Sequence, residues 1–235
     1  MRIGGFQRFS MLDYPGKLSA IVFTQGCNFR CPYCHNPGLV DPERFTESIP
    51  ESEVLAFLQK RAGKLNALTV TGGEPLLQPD LEDFLKNVKD LGYLIKLDTN
   101  GSFPKRLASI IEQNLADYIA MDLKAPPDLY SLVVQAEIDS DSILSSMDLI
   151  RSGGIPYEFR TTFFDKVLLS EDIERLKLLL KSGDLYYLQE CRYDNNLVDF
   201  GSAADTSAAN DLKAKLNELL KWGSKNKIQI ALRTI

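Results

Sequence analysis

Along the chain, short runs rich in β-branched and aromatic residues alternate with stretches whose apolar residues recur every three or four positions. The short runs are LSAIVFT (18–24), ALTVT (67–71), YLIKLDT (93–99), DYIAMDL (117–123), YEFRTTF (157–163), LYYLQE (185–190) and KIQIAL (227–232). They predict seven strands. Helical spacing fills the gaps at 51–62 (Val54, Leu55, Leu58), 80–91 (Leu81, Phe84, Leu85, Val88), 104–114 and 141–152. It recurs at 171–181 (Ile173, Leu176, Leu180) and 208–222 (Leu212, Leu216, Leu219, Leu220). Strands alternating with helices build parallel β-α-β units, and six or seven such units of roughly 30 residues fill the chain. A closed eight-unit barrel takes about 250 residues, slightly more than the 235 present. The expected fold is therefore α/β, an incomplete, open parallel β/α barrel forming one domain over 1–235. A flat doubly wound sheet is the alternative.

Either architecture places chemistry at the C-terminal ends of the strands. Four polar segments bearing Gly or Pro lie there. TQGCNFRCPYCHNPG (24–38) follows the first predicted strand and TGGEP (71–75) the second, while DTNG (98–101) and MDLKAP (121–126) end the third and fourth. All four fall on one rim of one sheet.

Composition narrows the partners. The net charge is −5 with no strongly basic block, which argues against nucleic acid. No run approaches the ~20 apolar residues of a membrane-spanning helix, and the N-terminal stretch lacks the apolar centre of a signal peptide. A soluble cytoplasmic protein is expected. Of four cysteines, Cys27, Cys31 and Cys34 fall within eight residues and Cys191 stands apart. That is too few for a disulfide framework, and clustered thiols in a reducing compartment are more often metal ligands or redox groups. A Cys-x-x-Cys redox pair alone leaves Cys27 unexplained. A structural zinc site wants four ligands; His35 is awkwardly adjacent to Cys34, and Cys191 serves only if the sixth predicted strand brings it to the same rim. An iron–sulfur cubane normally takes four thiolates. Three leave one iron open, a defect in an electron carrier and an asset in a catalyst.

The segment CNFRCPYC resembles the signature of the radical S-adenosylmethionine (radical SAM) superfamily. The resemblance implies that Cys27, Cys31 and Cys34 hold a [4Fe-4S] cluster. Its fourth iron is chelated by the amino and carboxylate groups of S-adenosylmethionine, and Tyr33 lies beside the adenine. In TGGEP, Gly72 and Gly73 let the backbone approach a ligand closely, Glu74 offers an acceptor for a cationic amino group, and Pro75 fixes the turn. The family uses this segment on the methionine amino group. Asp98 and Thr99 are candidates for polar contacts, whereas Asn100-Gly101 reads as an ordinary turn signal. Asp122 and Lys124 share one side of their strand. The resemblance places the Asp-Thr and Asp-x-Lys segments around the cofactor's carboxylate and ribose, with an acidic pair that offers room for a monovalent cation. Arg160 sits mid-strand among apolar residues and needs an anionic partner, either the cofactor carboxylate or an acidic rim residue. Gln189 is placed near adenine. A Gly-x-Ile-x-Gly-x-x-Glu pattern common in the superfamily near Arg160 is absent. Cys191 reads as an inert thiol and His35 as a loop-packing residue.

One cysteine after Cys34 is too few for an auxiliary cluster. The His35-Asn36 pair after the third cysteine, with GGFQRFSMLDYPGKLSAIVFTQGCNFRCPYCHNP and YEFRTTF, resembles activating enzymes of glycyl-radical proteins. Within these it is most like the type serving anaerobic (class III) ribonucleoside-triphosphate reductase. The resemblance implies a glycyl-radical enzyme as partner and a flavodoxin or ferredoxin-type electron donor. A small-molecule enzyme like 7-carboxy-7-deazaguanine synthase, or a non-catalytic metal-binding module, are the alternatives.

Overall fold

The computed structural model describes residues 1–164, 167–191, 197–198 and 217–233. Its eight strands lie side by side in sequence order. They are β1 (Ile3–Ser10), β2 (Ser19–Thr24), β3 (Ala67–Gly72), β4 (Leu94–Thr99), β5 (Tyr118–Asp122), β6 (Tyr157–Phe163), β7 (Leu185–Glu190) and β8 (Gln229–Arg233). Strands β2 to β8 are parallel and correspond to the seven expected from sequence. β1 was not foreseen. It runs antiparallel to β2, with irregular register between Ile3 and Gly5 and between Gln7 and Ser10. Two adjacent glycines and polar Gln7 and Arg8 hide it from a period-two pattern. Gly4 is needed because a Cβ there would lie 2.4 Å from the Gln25 side chain, the close approach that glycine in a strand often marks. No pairing joins β1 to β8 among the described residues, so the sheet is open.

The helices are α1 (Pro37–Val40), α2 (Glu51–Arg61), α3 (Leu81–Asp90), α4 (Pro104–Glu112), α5 (Tyr130–Val134), α6 (Ser140–Ser152) and α7 (Ser170–Leu176). α7 is shorter than its expected span because the chain tightens into a 3₁₀ turn over Lys177–Leu179. Of the helix expected at 208–222, residues 217–222 are helical and 208–216 lie outside the described residues. No described helix is long and apolar enough to cross a membrane.

The two faces of the sheet differ in chemistry. Val22, Val70, Leu97, Met121, Phe159 and Leu188 are fully buried on the outer face, where the helices pack; Leu81, Phe84, Leu85 and Val88 of α3 are buried there too. By the alternation of strand side chains, the other set points inward and includes Thr71, Asp98, Asp122, Arg160, Thr162 and Gln189, with Asp122 opposite Arg160 and Thr162 opposite Gln189 in register. The inside is therefore polar. At its lower end Tyr14, in the β1–β2 connection, packs on Tyr118 at 5.9 Å between ring centres. Tyr118 donates to Glu158 (2.9 Å), which also accepts from Arg233 (3.0 Å), tying β5, β6 and β8 together across the inner face.

Candidate functional site

A cavity of about 330 Å³ opens among the C-terminal strand ends, and Cys27, Cys31 and Cys34 line it. The loop carrying them is braced at several points. Gly26 N donates to Leu39 O (2.8 Å), Arg30 N to Val134 O (2.8 Å) and Cys34 N to Cys31 O (3.0 Å). The Arg30 guanidinium caps the carbonyls of Cys27 and Phe29. From beyond β7, Leu197 N reaches Cys34 O and Val198 N reaches Pro32 O, both at 3.1 Å. Burial pushes the Cys27 thiol up to about 12 and the Cys31 thiol to about 11, and raises Cys34 as well. At neutral pH all three are protonated until a metal draws them as thiolates. Among the described residues no three His, Cys, Asp or Glu side chains converge on a point that could hold a single ion. Three thiols lining one cavity suit a cluster of several irons.

Gly72 and Gly73 form the next part of the wall. Gly72 has φ +117°, and Gly73 lies so near the cysteine loop that a Cβ would fall 2.1 Å from Gly26 O. Only glycine lets β3 and the loop meet here. Gly73 N donates to Thr24 O (2.9 Å) and Glu74 N to Gly26 O (2.8 Å). The Glu74 side chain is not part of the lining. It is fully buried and accepts from Leu76 N (3.0 Å), Thr99 Oγ1 (2.8 Å) and Asn100 N (2.7 Å). Burial pushes its carboxyl up to about 7 against the opposing pull of those three donors. Glu74 holds the TGGEP and DTNG turns to each other.

Asp98, Thr99, Asp122, Lys124 and Arg160 all reach the cavity. Arg160 lies between the two aspartates, with Nε 2.9 Å from Asp122 Oδ1 and Nη1 3.2 Å from Asp98 Oδ2. Lys96 pairs with Asp98 at 2.6 Å and Lys124 with Asp122 at 2.8 Å. Buried Glu158, paired with Arg233 at 3.0 Å, also lies 4.0 Å from Arg160 Nη1; counted with that pair, four cations face three carboxylates, and the single positive surplus suits an incoming carboxylate. Burial opposes ionisation of both aspartates, but Arg160 and the lysines outweigh it and hold Asp98 and Asp122 below the usual carboxylate range. Of the two partners expected for Arg160, the structure shows the acidic rim residues. The acidic pair is bridged by this guanidinium.

Tyr33 and Gln189 line the cavity. Tyr33 packs on Phe164 at 5.7 Å, and its buried hydroxyl has no hydrogen-bond partner among the described residues. Cys191 does come to this rim: its Sγ lies 3.4 Å from His35 Nε2. Sequence reasoning passed over Asp13, Asn36, Thr71, Asn100 and Thr162, which also line the cavity. Thr71 and Thr162 were detectable from strand parity, two residues from Gly73 and Arg160. Asp13 carried no signal; it comes from the β1–β2 connection at the opposite end of the strands, so the cavity extends down the inside of the sheet.

Comparison with known proteins agrees with this architecture. The profile of the radical SAM superfamily matches residues 21–183. A protein of Methanocaldococcus jannaschii carrying the name of a glycyl-radical enzyme activating enzyme, MJ1227, is 35% identical over 194 residues, 80% of this chain and 79% of that one. The pyruvate formate-lyase-activating enzyme of Clostridium pasteurianum is 32% identical over 127 residues, 52% of each chain. The fold matches Streptococcus suis SuiB bound to S-adenosylmethionine with TM-score 0.67 at 13% identity, covering 91% of this chain and 49% of that one, so this chain spans about half of SuiB. With the cysteine loop at the head of an open parallel sheet and relatives of this kind, the chain belongs to the radical SAM superfamily, among enzymes of the glycyl-radical enzyme activating type.

Proposed function

We propose that this protein takes a hydrogen atom from a glycine of a partner glycyl-radical enzyme, an anaerobic ribonucleoside-triphosphate reductase. The observation that carries the reading is that three thiols line the same polar cavity as Asp122, Lys124 and Arg160. When bound, a [4Fe-4S] cluster and S-adenosylmethionine supply reductive cleavage to a 5′-deoxyadenosyl radical that takes hydrogen. Cys27, Cys31 and Cys34 would hold the cluster. The backbone at Gly72 and Gly73, which lines the cavity, would receive the amino group. Lys124 and Arg160 would balance the carboxylate, with Asp98, Thr99 and Asp122 meeting the amino and hydroxyl groups around them. Tyr33 and Gln189 would flank the adenine, the orphaned Tyr33 hydroxyl gaining a partner. Glu74 acts from behind by fixing the two turns. A cation beside Asp98 and Asp122 would first have to displace Arg160. The unpaired β1 and β8 edges, with no pairing between them among the described residues, support a macromolecular substrate, since an extended glycine loop needs a lateral way in, and a flavodoxin or ferredoxin would deliver the electron.

Anaerobically reconstituted protein, incubated with reductant, S-adenosylmethionine and the reductase, should give a glycyl-radical signal by electron paramagnetic resonance. Cofactor cleavage without that signal would redirect the partner assignment. Turnover accelerated by a small molecule would favour the 7-carboxy-7-deazaguanine synthase-like alternative. About one zinc per chain with no iron would overturn the enzyme reading.

A further inference from the structure

The cysteine loop and the turn after β4 are joined by an amide network that the roles above do not use. Asn28 follows Cys27 directly; its Nδ2 donates to Ser102 Oγ (2.9 Å) and its Oδ1 accepts from Asn100 Nδ2 (2.9 Å). Asn100 Oδ1 accepts from Ser102 N (3.0 Å) and Ser102 Oγ (2.6 Å). Asn100 N is held by Glu74. A backbone N–H can only donate, so the contact with Ser102 N fixes which end of the Asn100 amide is oxygen. Its Nδ2 carries two hydrogens. One goes to Asn28, and the same nitrogen lies 4.0 Å from Cys27 Sγ. Phe29 N donates to this sulfur as well, at 3.4 Å. Cys27 therefore faces two N–H groups, one of them on a side chain that Asn28 and Ser102 hold in place.

We propose that Asn100 is a positioning residue that raises the reduction potential of the cluster through Cys27, with Asn28 and Ser102 aiming its amide. The inference rests on the cluster reading given above. Reduction adds negative charge that spreads onto the thiolate sulfurs, and an N–H directed at one of them stabilises the reduced form more than the oxidised form. Asn100 thereby sets how readily the donor's electron enters.

The test uses the full chain, reconstituted anaerobically, as wild type, Asn100→Ala, Asn28→Ala and the double variant. Iron and sulfide per chain, thermal midpoint, and midpoint potential are measured without S-adenosylmethionine. Potentials come from redox titration followed by electron paramagnetic resonance. At equal iron content, Asn100→Ala should lower the reduced-to-oxidised ratio at fixed ambient potential about tenfold, or about 59 mV for one electron. Asn28→Ala should shift the same way by less. The double variant should match Asn100→Ala, because Asn28 acts through Asn100. An unchanged potential in Asn100→Ala with full iron, or a double shift equal to the sum of the singles, overturns the proposal. Should Asn100→Ala fail to fold or load, Asn28→Ala decides: it leaves the Glu74 and Ser102 contacts of Asn100 in place, and an unchanged potential there is equally fatal. A wild type that assembles no iron–sulfur cluster instead overturns the underlying reading, and this inference with it.

Discussion

Glu74 and Arg160 face the same problem, charge without water, and meet it differently. Glu74 has donors but no cation, and burial raises its carboxyl from 4.5 to about 7. Between those two pH values the folded chain holds a proton that the unfolded chain has lost, so this group's contribution to stability falls as pH rises through the window. The span corresponds to about 3 kcal/mol at 1.36 kcal/mol per unit. Glu74→Gln should flatten it, seen as a smaller difference between urea midpoints at pH 5 and pH 7.5. Arg160 has Glu158 at 4.0 Å and two carboxylates within hydrogen-bond reach, both held below their usual range. Their contribution is full above about pH 4 and is lost as pH falls further. Arg160→Met should cost roughly 3–5 kcal/mol by stranding two buried charges, tempered by Lys96 and Lys124, and should bring acid unfolding to higher pH. Denaturant titrations across pH check both. The identity of these residues as site candidates was legible from their places at strand ends. The direction of Glu74 was not, because it depends on how two turns from different strands meet.

At the level of elements, seven strands could be read because each is short, β-branched and bounded by Gly, Pro or Asn. β1 could not: Gly4 serves a close approach to Gln25, and Gly5 lies against Phe23, rather than either following a strand pattern. The end of α7 was equally hidden, since Leu180 continues the helical spacing after the backbone has left the helix. The tightest junction is where β3 meets the cysteine loop. Gly73→Ala should force them apart, costing about 1–3 kcal/mol or more and reducing iron retained after reconstitution. Gly92→Ala is the control. Its backbone is also left-handed (φ +84°), but a Cβ there meets nothing within 4 Å. It should lose about 1 kcal/mol of stability and keep its iron. Urea midpoints with iron analysis separate the two.

The molecule as a whole inverts the usual division of a barrel: helices cover an apolar outer face while the inner face is charged. No strand register passes through a thiol, so metal is not what holds the sheet together. Removing iron from reconstituted protein with a chelator should lower the thermal midpoint, because a ligand of the folded state alone is lost, while far-ultraviolet circular dichroism stays near its starting value. The openness of the sheet was legible from chain length and unit count. The run of the cavity down to Asp13 was not, since it depends on a connection folding back beneath the strands.

Neighbouring strands in space are also neighbours in order of translation. A growing chain never has to insert a new strand between two old ones; each adds to a waiting edge. When β5 leaves the ribosome, all three sulfurs, both wall glycines, Glu74 and Asn100 already exist, whereas Arg160 and Gln189 have not been made. The sulfur-bearing half of the sheet is thus complete in the chain before the strands that carry Arg160 and Gln189 exist.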